Sequence, residues 1–257
     1  MNKYAVIVAG GSGTRMGTPT PKQFLLLKGR PVLWHTLTIF LQAYDDLEII
    51  LVLPEEYLGE GRALADATGE AGRIRITGGG ATRFHSVQKG LGMIGESVTG
   101  EGGMREGTEQ TGSEGRGYPA FEDGHRTRGE SVIFIHDGVR CLLTRELVHR
   151  CYAGAVAFGS AIPVINTKDS VRLLTATGNE AVERSRIKLV QTPQTFLGSI
   201  ILPAYSAAVE YHERFTDEAT VVEAAGHSLH LVEGELNNIK ITTLEDMTIA
   251  EGLLERK

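Results

Sequence analysis

Residues 4–24 read YAVIVAGGSGTRMGTPTPKQF, and they hold the densest chemistry in the chain. A short apolar run ending at Ala9 opens into Gly10-Gly11-Ser12-Gly13, followed by Arg15 and then Lys22. Glycines let backbone approach an anion closely, and successive backbone N–H groups turned the same way form an anion-binding concavity. Two cations beyond such a loop supply charge where a triphosphate would lie, so the segment points to a nucleotide site. It is not a dinucleotide fingerprint: counted from Gly11 and Gly13, the third position is Met16, and Gly17 comes one residue late. Nor is it a P-loop, because no Lys-Ser or Lys-Thr pair closes it.

Three further constellations could share that site. Gly78-Gly79-Gly80-Ala81-Thr82-Arg83, with Ser86 close behind, suits a nucleobase or ribose pocket; the alternative is a plain strand-to-helix turn with Arg83 on the surface. His136-Asp137-Gly138-Val139-Arg140 ends an apolar run. Asp137 is placed to hold Mg²⁺, which uses one or two carboxylates and completes its shell with phosphates and water. The alternative is an Asp that caps a following helix. His136 reads as structural, since nothing near it completes a nucleophilic triad. Arg184 and Lys240 are two more candidate cations; Lys240 sits in a β-like run after the pair Asn237-Asn238. Thr216 reads as a helix cap with acids in the first turn, a role compatible with binding substrate.

Elements must bring these groups together. Residues 4–9, 48–53, 74–77, 131–136 and 160–164 read as strands, and 32–42, 59–68 and 86–94 as amphipathic helices. Alternation of this kind implies an α/β fold with a mostly parallel twisted sheet covered by helices on both faces. Ligands of such sheets bind beyond the carboxyl ends of the strands, where both the opening loop and Asp137 fall. Residues 95–130 are rich in Gly, Glu, Thr and Ser, with almost no aliphatic side chains, and read as a flexible surface excursion.

Composition narrows the classes. A chain of 257 residues with 41% hydrophobic side chains has room for a substantial core. A net charge of −6 and the lack of a basic run argue against nucleic-acid binding. The first residues lack a secretory pattern, and no apolar stretch reaches the roughly 20 residues needed to span a bilayer. Two cysteines, Cys141 and Cys151, make neither a disulfide framework nor a zinc pattern, so a cytoplasmic location is expected.

Taken in order, AGGSGTRMG with PKQF, GGGATRFHSV, HDGVR, KDSVR, QTPQTF, FTDEA and NNIKIT resemble the 2-C-methyl-D-erythritol 4-phosphate cytidylyltransferase family. That family belongs to the sugar-phosphate nucleotidyltransferases, with a Rossmann-like fold. The resemblance covers almost the whole chain except 95–130. It implies transfer of CMP from CTP to methylerythritol phosphate with loss of pyrophosphate, assisted by Mg²⁺ at Asp137. Carried over motif by motif, Arg15 and Lys22 would stabilise the transition state, and Arg184 and Lys240 would position the acceptor phosphate. Ala9, Gly10, Gly11, Ser12, Gly13, Gly80, Ala81 and Ser86 would surround CTP, with Arg83 and Gly138 close by. Asp137, Arg140, Ser170, Thr192 and Thr216 would line the acceptor side. The resemblance also implies a single domain over 1–257 and a homodimer whose extended β arm, 166–186, reaches the partner's site.

The chain departs from the family pattern at Cys141, where proline is usual, at Ala81, where an acid is common, and at Ser170, where threonine is frequent. Ribitol-5-phosphate cytidylyltransferase shares much of the motif set and differs in the acceptor. A nucleotide-binding protein without catalysis is a more distant alternative, opposed by the retention of Arg15, Lys22, Asp137, Arg184 and Lys240.

Overall fold

The computed structural model describes residues 1–10, 20–94 and 131–255. Gly11, Ser12, Gly13, Arg15 and the excursion 95–130 lie outside the described residues. The first half of the chain alternates strand and helix as its hydrophobic periods require. β1 (Asn2–Val8) is followed by a small hairpin, β2 (Leu26–Leu27) and β3 (Arg30–Pro31), and by α1 (Val32–Ala43). β4 (Leu47–Leu53), α2 (Leu58–Asp66), β5 (Ile74–Gly78), α3 (Arg83–Gly92) and β6 (Ser131–Asp137) complete the parallel core.

The second half is mixed. α4 (Arg145–Phe158) leads to β7 (Ser160–Asn166), then to the hairpin β8 (Val171–Thr175) and β9 (Gly178–Val182). β10 (Lys188–Val190), β11 (Gln194–Leu197), α5 (Gly198–Ala207), α6 (Glu218–Ala224), β12 (Leu231–Glu233) and α7 (Leu244–Leu254) follow. The main sheet runs β10-β7-β11-β6-β1-β4-β5, with β12 added alongside β7. β6, β1, β4 and β5 are parallel, whereas β11 runs antiparallel to both β6 and β7. The β8–β9 hairpin stands apart from this sheet and is largely exposed.

Strand alternation sorts side chains onto two helical layers, most clearly in β6. Val132 and Phe134 join the core that includes residues of α1 and α4, while Ile133 and Ile135 join the core built with α3, α5 and α6. Phe40 of α1 meets Phe134 edge-on at 5.9 Å, a favoured aromatic geometry. A third, smaller core joins Leu27 and Val32 to Val139, Cys141, Leu142, Ile241 and Ala250 of α7. Cys141 is thus buried in that core, as Cys151 is in the main one, and both are free thiols. No helix among the described residues is long and apolar enough to cross a membrane.

Local sequence explains the helix boundaries that matter for function. Thr82 caps α3 by accepting the His85 N–H, and Thr144 caps α4 by accepting the Leu147 N–H. No helix follows Asp137 directly, so the reading of Asp137 as a cap is set aside in favour of a turn. Thr216 does not cap α6; Asp217 does, its side chain accepting the Thr220 N–H at 3.0 Å. Aspartate is the better cap because its charge also complements the helix N-terminus.

Candidate active site

Four parallel strands deliver their carboxyl ends to one crevice. Val8, Ala9 and Gly10 lie at the end of β1, Pro54, Glu55 and Glu56 follow β4, Gly79 to Arg83 follow β5, and Asp137 and Val139 close β6. Lys22, Gln23, Ser86 and Lys240 complete a cavity of about 500 Å³. Glycine is required where this wall turns into α3. A side chain at Gly80 would run into the Cβ and backbone of His85, so the turn is tight by necessity. Ser86 holds it: its hydroxyl accepts the Gly80 N–H at 3.1 Å and donates to the Thr82 carbonyl at 3.0 Å. The hydroxyl proton is therefore spent on the loop. Lys89 adds a bond to the Gly79 carbonyl at 2.8 Å.

Lys22 reaches the cavity from a single turn, Lys22–Phe24, that is pinned by its neighbours. Gln23 is buried and donates to the Ala9 carbonyl at 2.9 Å, tying this turn to the end of β1. Phe24 packs on Tyr57 with ring centroids 5.5 Å apart. Gly138 serves the same junction from beneath. Its N–H bonds the Val8 carbonyl at 2.9 Å, and a Cβ there would press on Leu33 and Ala9.

The electrostatic centre is Asp137. Its Oδ1 accepts from Arg83 Nε at 3.1 Å, Lys240 Nζ lies 2.8 Å from Oδ2, and Arg140 Nε lies 3.9 Å from Oδ2. Burial pushes this carboxyl up, but Arg83, Lys240 and Arg140 together reverse that and hold it well below the usual carboxylate range. Arg83 also forks onto Glu218, which is 0% exposed and takes a further bond from the Tyr205 hydroxyl at 3.1 Å. Burial alone would favour a neutral Arg83, yet Glu218 and Asp137 raise it and keep it charged. Arg83 is thus neither a surface residue nor a loose cation; it is held by two acids while facing the cavity.

Behind Asp137 lies a buried layer. Burial, with the charges of Arg140 and Arg83, drives His136 down to about 3, against the opposing pull of Asp137, so the imidazole is neutral. Its Nε2 faces the Arg140 carbonyl at 3.2 Å and its Nδ1 faces the Thr192 hydroxyl at 2.9 Å. Thr192 also accepts the Asp137 N–H at 3.2 Å. Arg140 donates to the Asn238 carbonyl at 2.8 Å, and neither Arg140 nor Thr192 lines the cavity directly.

The residues expected to act together are therefore brought together in part. Ala9, Gly10, Lys22, Gly80, Ala81, Arg83, Ser86, Asp137 and Lys240 line one cavity, with Gly138, Arg140 and Thr192 packed behind it. Arg184 and Ser170 do not join them within one chain. Arg184 lines a separate basic hollow with Asn166, Thr167, Lys168, Ser185 and Lys188, and donates to the Lys168 carbonyl at 2.8 Å. Thr216 is exposed ahead of α6. Glu218 and Asn238 do not stand out in the sequence as site residues. Glu218 reads there as a first-turn helix acid, and only its burial under Arg83 separates it from that role.

A model for the family described as IspD, 2-C-methyl-D-erythritol 4-phosphate cytidylyltransferase, matches residues 4–99 and 107–256. The chain belongs to this family. The match enters the 95–130 segment from both sides, further than the motifs alone reached. The 2-C-methyl-D-erythritol 4-phosphate cytidylyltransferase of Bacteroides fragilis is 41% identical over 254 residues, covering 99% of this chain and 100% of that protein. Its counterpart from Phocaeicola vulgatus is 39% identical over 254 residues, with the same coverage. Among solved structures, 4-diphosphocytidyl-2C-methyl-D-erythritol synthase from Anaerococcus prevotii superposes with a TM-score of 0.75 at 24% identity, covering 99% of each chain. The cytidylyltransferase of Thermus thermophilus gives 0.68 at 26% identity, covering 99% of this chain and 100% of that one. The IspD-like fold, an α/β sheet with a parallel core and small β hairpins, agrees with the α/β class read from the sequence.

Proposed function

We propose that this protein transfers the CMP moiety of CTP to the 4-phosphate of 2-C-methyl-D-erythritol 4-phosphate and releases pyrophosphate. The observation that carries this reading is the convergence of Lys22, Arg83 and Lys240 with a glycine-lined wall on one crevice, in a chain of this family. A phosphate monoester with a second pKa of about 6 is already largely dianionic at neutral pH, so it needs no general base. One of its oxygens forms a bond to the α-phosphorus, and the bond from that phosphorus to the bridging oxygen breaks. The pyrophosphate leaves with the electron pair. What the protein must supply is alignment and positive charge.

Lys22 meets that need from the pinned turn beside Ala9 and Gly10, where it lines the same space as the end of β1. The parallel role of Arg15, and the enclosure of CTP by Gly11, Ser12 and Gly13, rest on the sequence motif. The wall of Gly79, Gly80 and Ala81 offers backbone groups and little side-chain bulk, which suits a flat pyrimidine. Lys240 is 42% exposed at its side chain, and a substrate phosphate can draw it from Asp137.

The described residues hold no group of three or more His, Cys, Asp or Glu side chains that could form a metal site by themselves. A carboxylate kept ionised at the cavity wall still fits Mg²⁺, which takes its other ligands from phosphates and water. Asp137 would hold it, and the bound ion would neutralise phosphate charge. Arg184 lies apart from the crevice of its own chain, which supports a homodimer in which the 166–186 arm delivers Arg184 to the partner's acceptor site.

The direct test is pyrophosphate release from CTP and Mg²⁺ with methylerythritol phosphate or ribitol 5-phosphate as acceptor. Release with methylerythritol phosphate alone is expected. Release with ribitol 5-phosphate alone would overturn the acceptor assignment, and CTP binding without release would overturn the reaction.

A further inference from the structure

We propose that Asn238 is a positioning residue for this reaction, tying Thr192, His136 and Arg140 into one buried ring behind Asp137 and steadying the backbone that leads to Lys240. The inference rests on the cytidylyl-transfer reading above. Asn238 is fully buried. Its Nδ2 donates to the Thr192 carbonyl at 2.8 Å. Its own backbone carbonyl accepts from Arg140 Nη1 at 2.8 Å and from Gln191 Nε2 at 3.3 Å.

Donor and acceptor logic fixes the remaining directions. A carbonyl only accepts, so His136 carries its proton on Nε2 and gives it to the Arg140 carbonyl. His136 Nδ1 is then an acceptor, so the Thr192 hydroxyl donates to it. The lone pairs of that hydroxyl remain free to accept the Asp137 N–H. The ring therefore runs from Asn238 through Thr192 and His136 to Arg140 and back to Asn238, with Asp137 hung on its Thr192 corner. The Thr192 carbonyl selects the amide orientation of Asn238, leaving Oδ1 buried with no hydrogen-bond partner among the described residues.

The ring bears on Lys240 by way of the chain between them. Asn238 fixes the backbone two residues before Lys240, and the Ile241 N–H fixes it one residue after, through the Val139 carbonyl at 3.0 Å. Ile241 is fully buried in the small core beneath α7, so Lys240 projects the other way, toward Asp137 Oδ2 at 2.8 Å. Both clamps attach to the turn that follows β6. The backbone segments that carry Lys240 and Asp137 thereby keep one spacing, and alignment of this kind acts on the chemical step more than on nucleotide affinity. The CTP wall from Gly79 to Ser86 makes none of the Asn238 bonds.

The test compares Asn238→Asp and Asn238→Ala with the wild type. Asp preserves volume but offers no donor to the Thr192 carbonyl when ionised; Ala removes the group. Calorimetric CTP affinity, kcat and the acceptor KM are measured for each, with thermal unfolding as a check on folding. Asn238→Asp is expected to lose at least about tenfold in kcat and to raise the acceptor KM, with CTP affinity within about twofold of wild type. Wild-type kcat in a folded variant would overturn the positioning role. A loss of CTP affinity equal to the loss of kcat would also overturn it, by marking a general structural defect. Lack of turnover in the wild type itself would count against the reaction assigned above, so the two failures are distinguishable.

Discussion

Removing Arg83 tests how the site is held together. Its guanidinium sits between Asp137, with Nε to Oδ1 at 3.1 Å, and Glu218, with Nη2 to Oε2 at 3.0 Å. In Arg83→Met the fully buried Glu218 keeps the Tyr205 hydroxyl and loses its cation. Breaking a buried ion pair from one side costs about 3–5 kcal/mol. Arg83 is itself 31% exposed at its side chain, which screens part of the interaction and favours the lower end, about 3 kcal/mol. At about 2–4 °C per kcal/mol for a domain of this size, Tm falls by roughly 6–12 °C. Removing the charge from the other side as well should restore part of the loss. Arg83→Met with Glu218→Gln is expected to be more stable than Arg83→Met alone, by about 1 kcal/mol or more, because no unpaired charge stays buried. Urea unfolding of wild type, both single variants and the double variant completes the cycle. A cost below about 1 kcal/mol for Arg83→Met, or strict additivity across the cycle, would refute this account of the pair.

Other perturbations address the remaining parts of the site. Lys22→Ala should lower kcat by more than about tenfold while leaving Tm nearly unchanged, since Lys22 lines the cavity rather than the core; steady-state kinetics and calorimetry check both halves. His136 makes stability depend on pH with a defined sign. Its folded value, about 3, lies below that of a free histidine, so the unfolded chain binds a proton that the folded chain refuses. Its contribution is complete above about pH 6.5 and is lost as pH falls toward 3. Replacing it with Gln should flatten the acid limb of the unfolding free energy by up to about 1.4 kcal/mol per pH unit; an unchanged slope would show that His136 is protonated in the fold. On the exposed β8–β9 hairpin, Leu174 is 80% exposed. If the proposed homodimer uses this arm, Leu174→Glu should shift sedimentation from dimer toward monomer and cut turnover while CTP still binds, whereas sedimentation unaffected by this change would count against an interface there.

Much of the fold is readable because its parallel core consists of strands buried on both faces, which sequence records as short runs of Val and Ile. Residues 48–53 and 131–136 lie within β4 and β6, each of which extends by one residue at an end. The antiparallel half is harder to see. β11 pairs with β6 and β7 through contacts distant in sequence, and its four residues, Gln194–Leu197, begin with a polar side chain that has no strand signature. Gln194 is nonetheless buried, donating to Asp217 at 2.9 Å and accepting the Ala219 N–H at 2.7 Å.

For the site, sequence by itself determined which charges exist and in what order they come. The glycine wall, Lys22, Asp137 and Lys240 are legible because backbone approach needs glycine and phosphate needs cations, requirements of residue type and local spacing. Tertiary structure alone decided what each charge does in this chain. Arg83 became a strut at the cavity wall because Glu218, distant in sequence, folds against it, and Asn238 became the tie of the buried ring because Thr192 and Arg140 arrive from two other segments. It also set Arg184 apart from the crevice of its own chain, beside Lys168 and Lys188. Burial and long-range pairing are properties of the assembled chain: the same arginine in water or against a carboxylate has one letter and two different electrostatic energies.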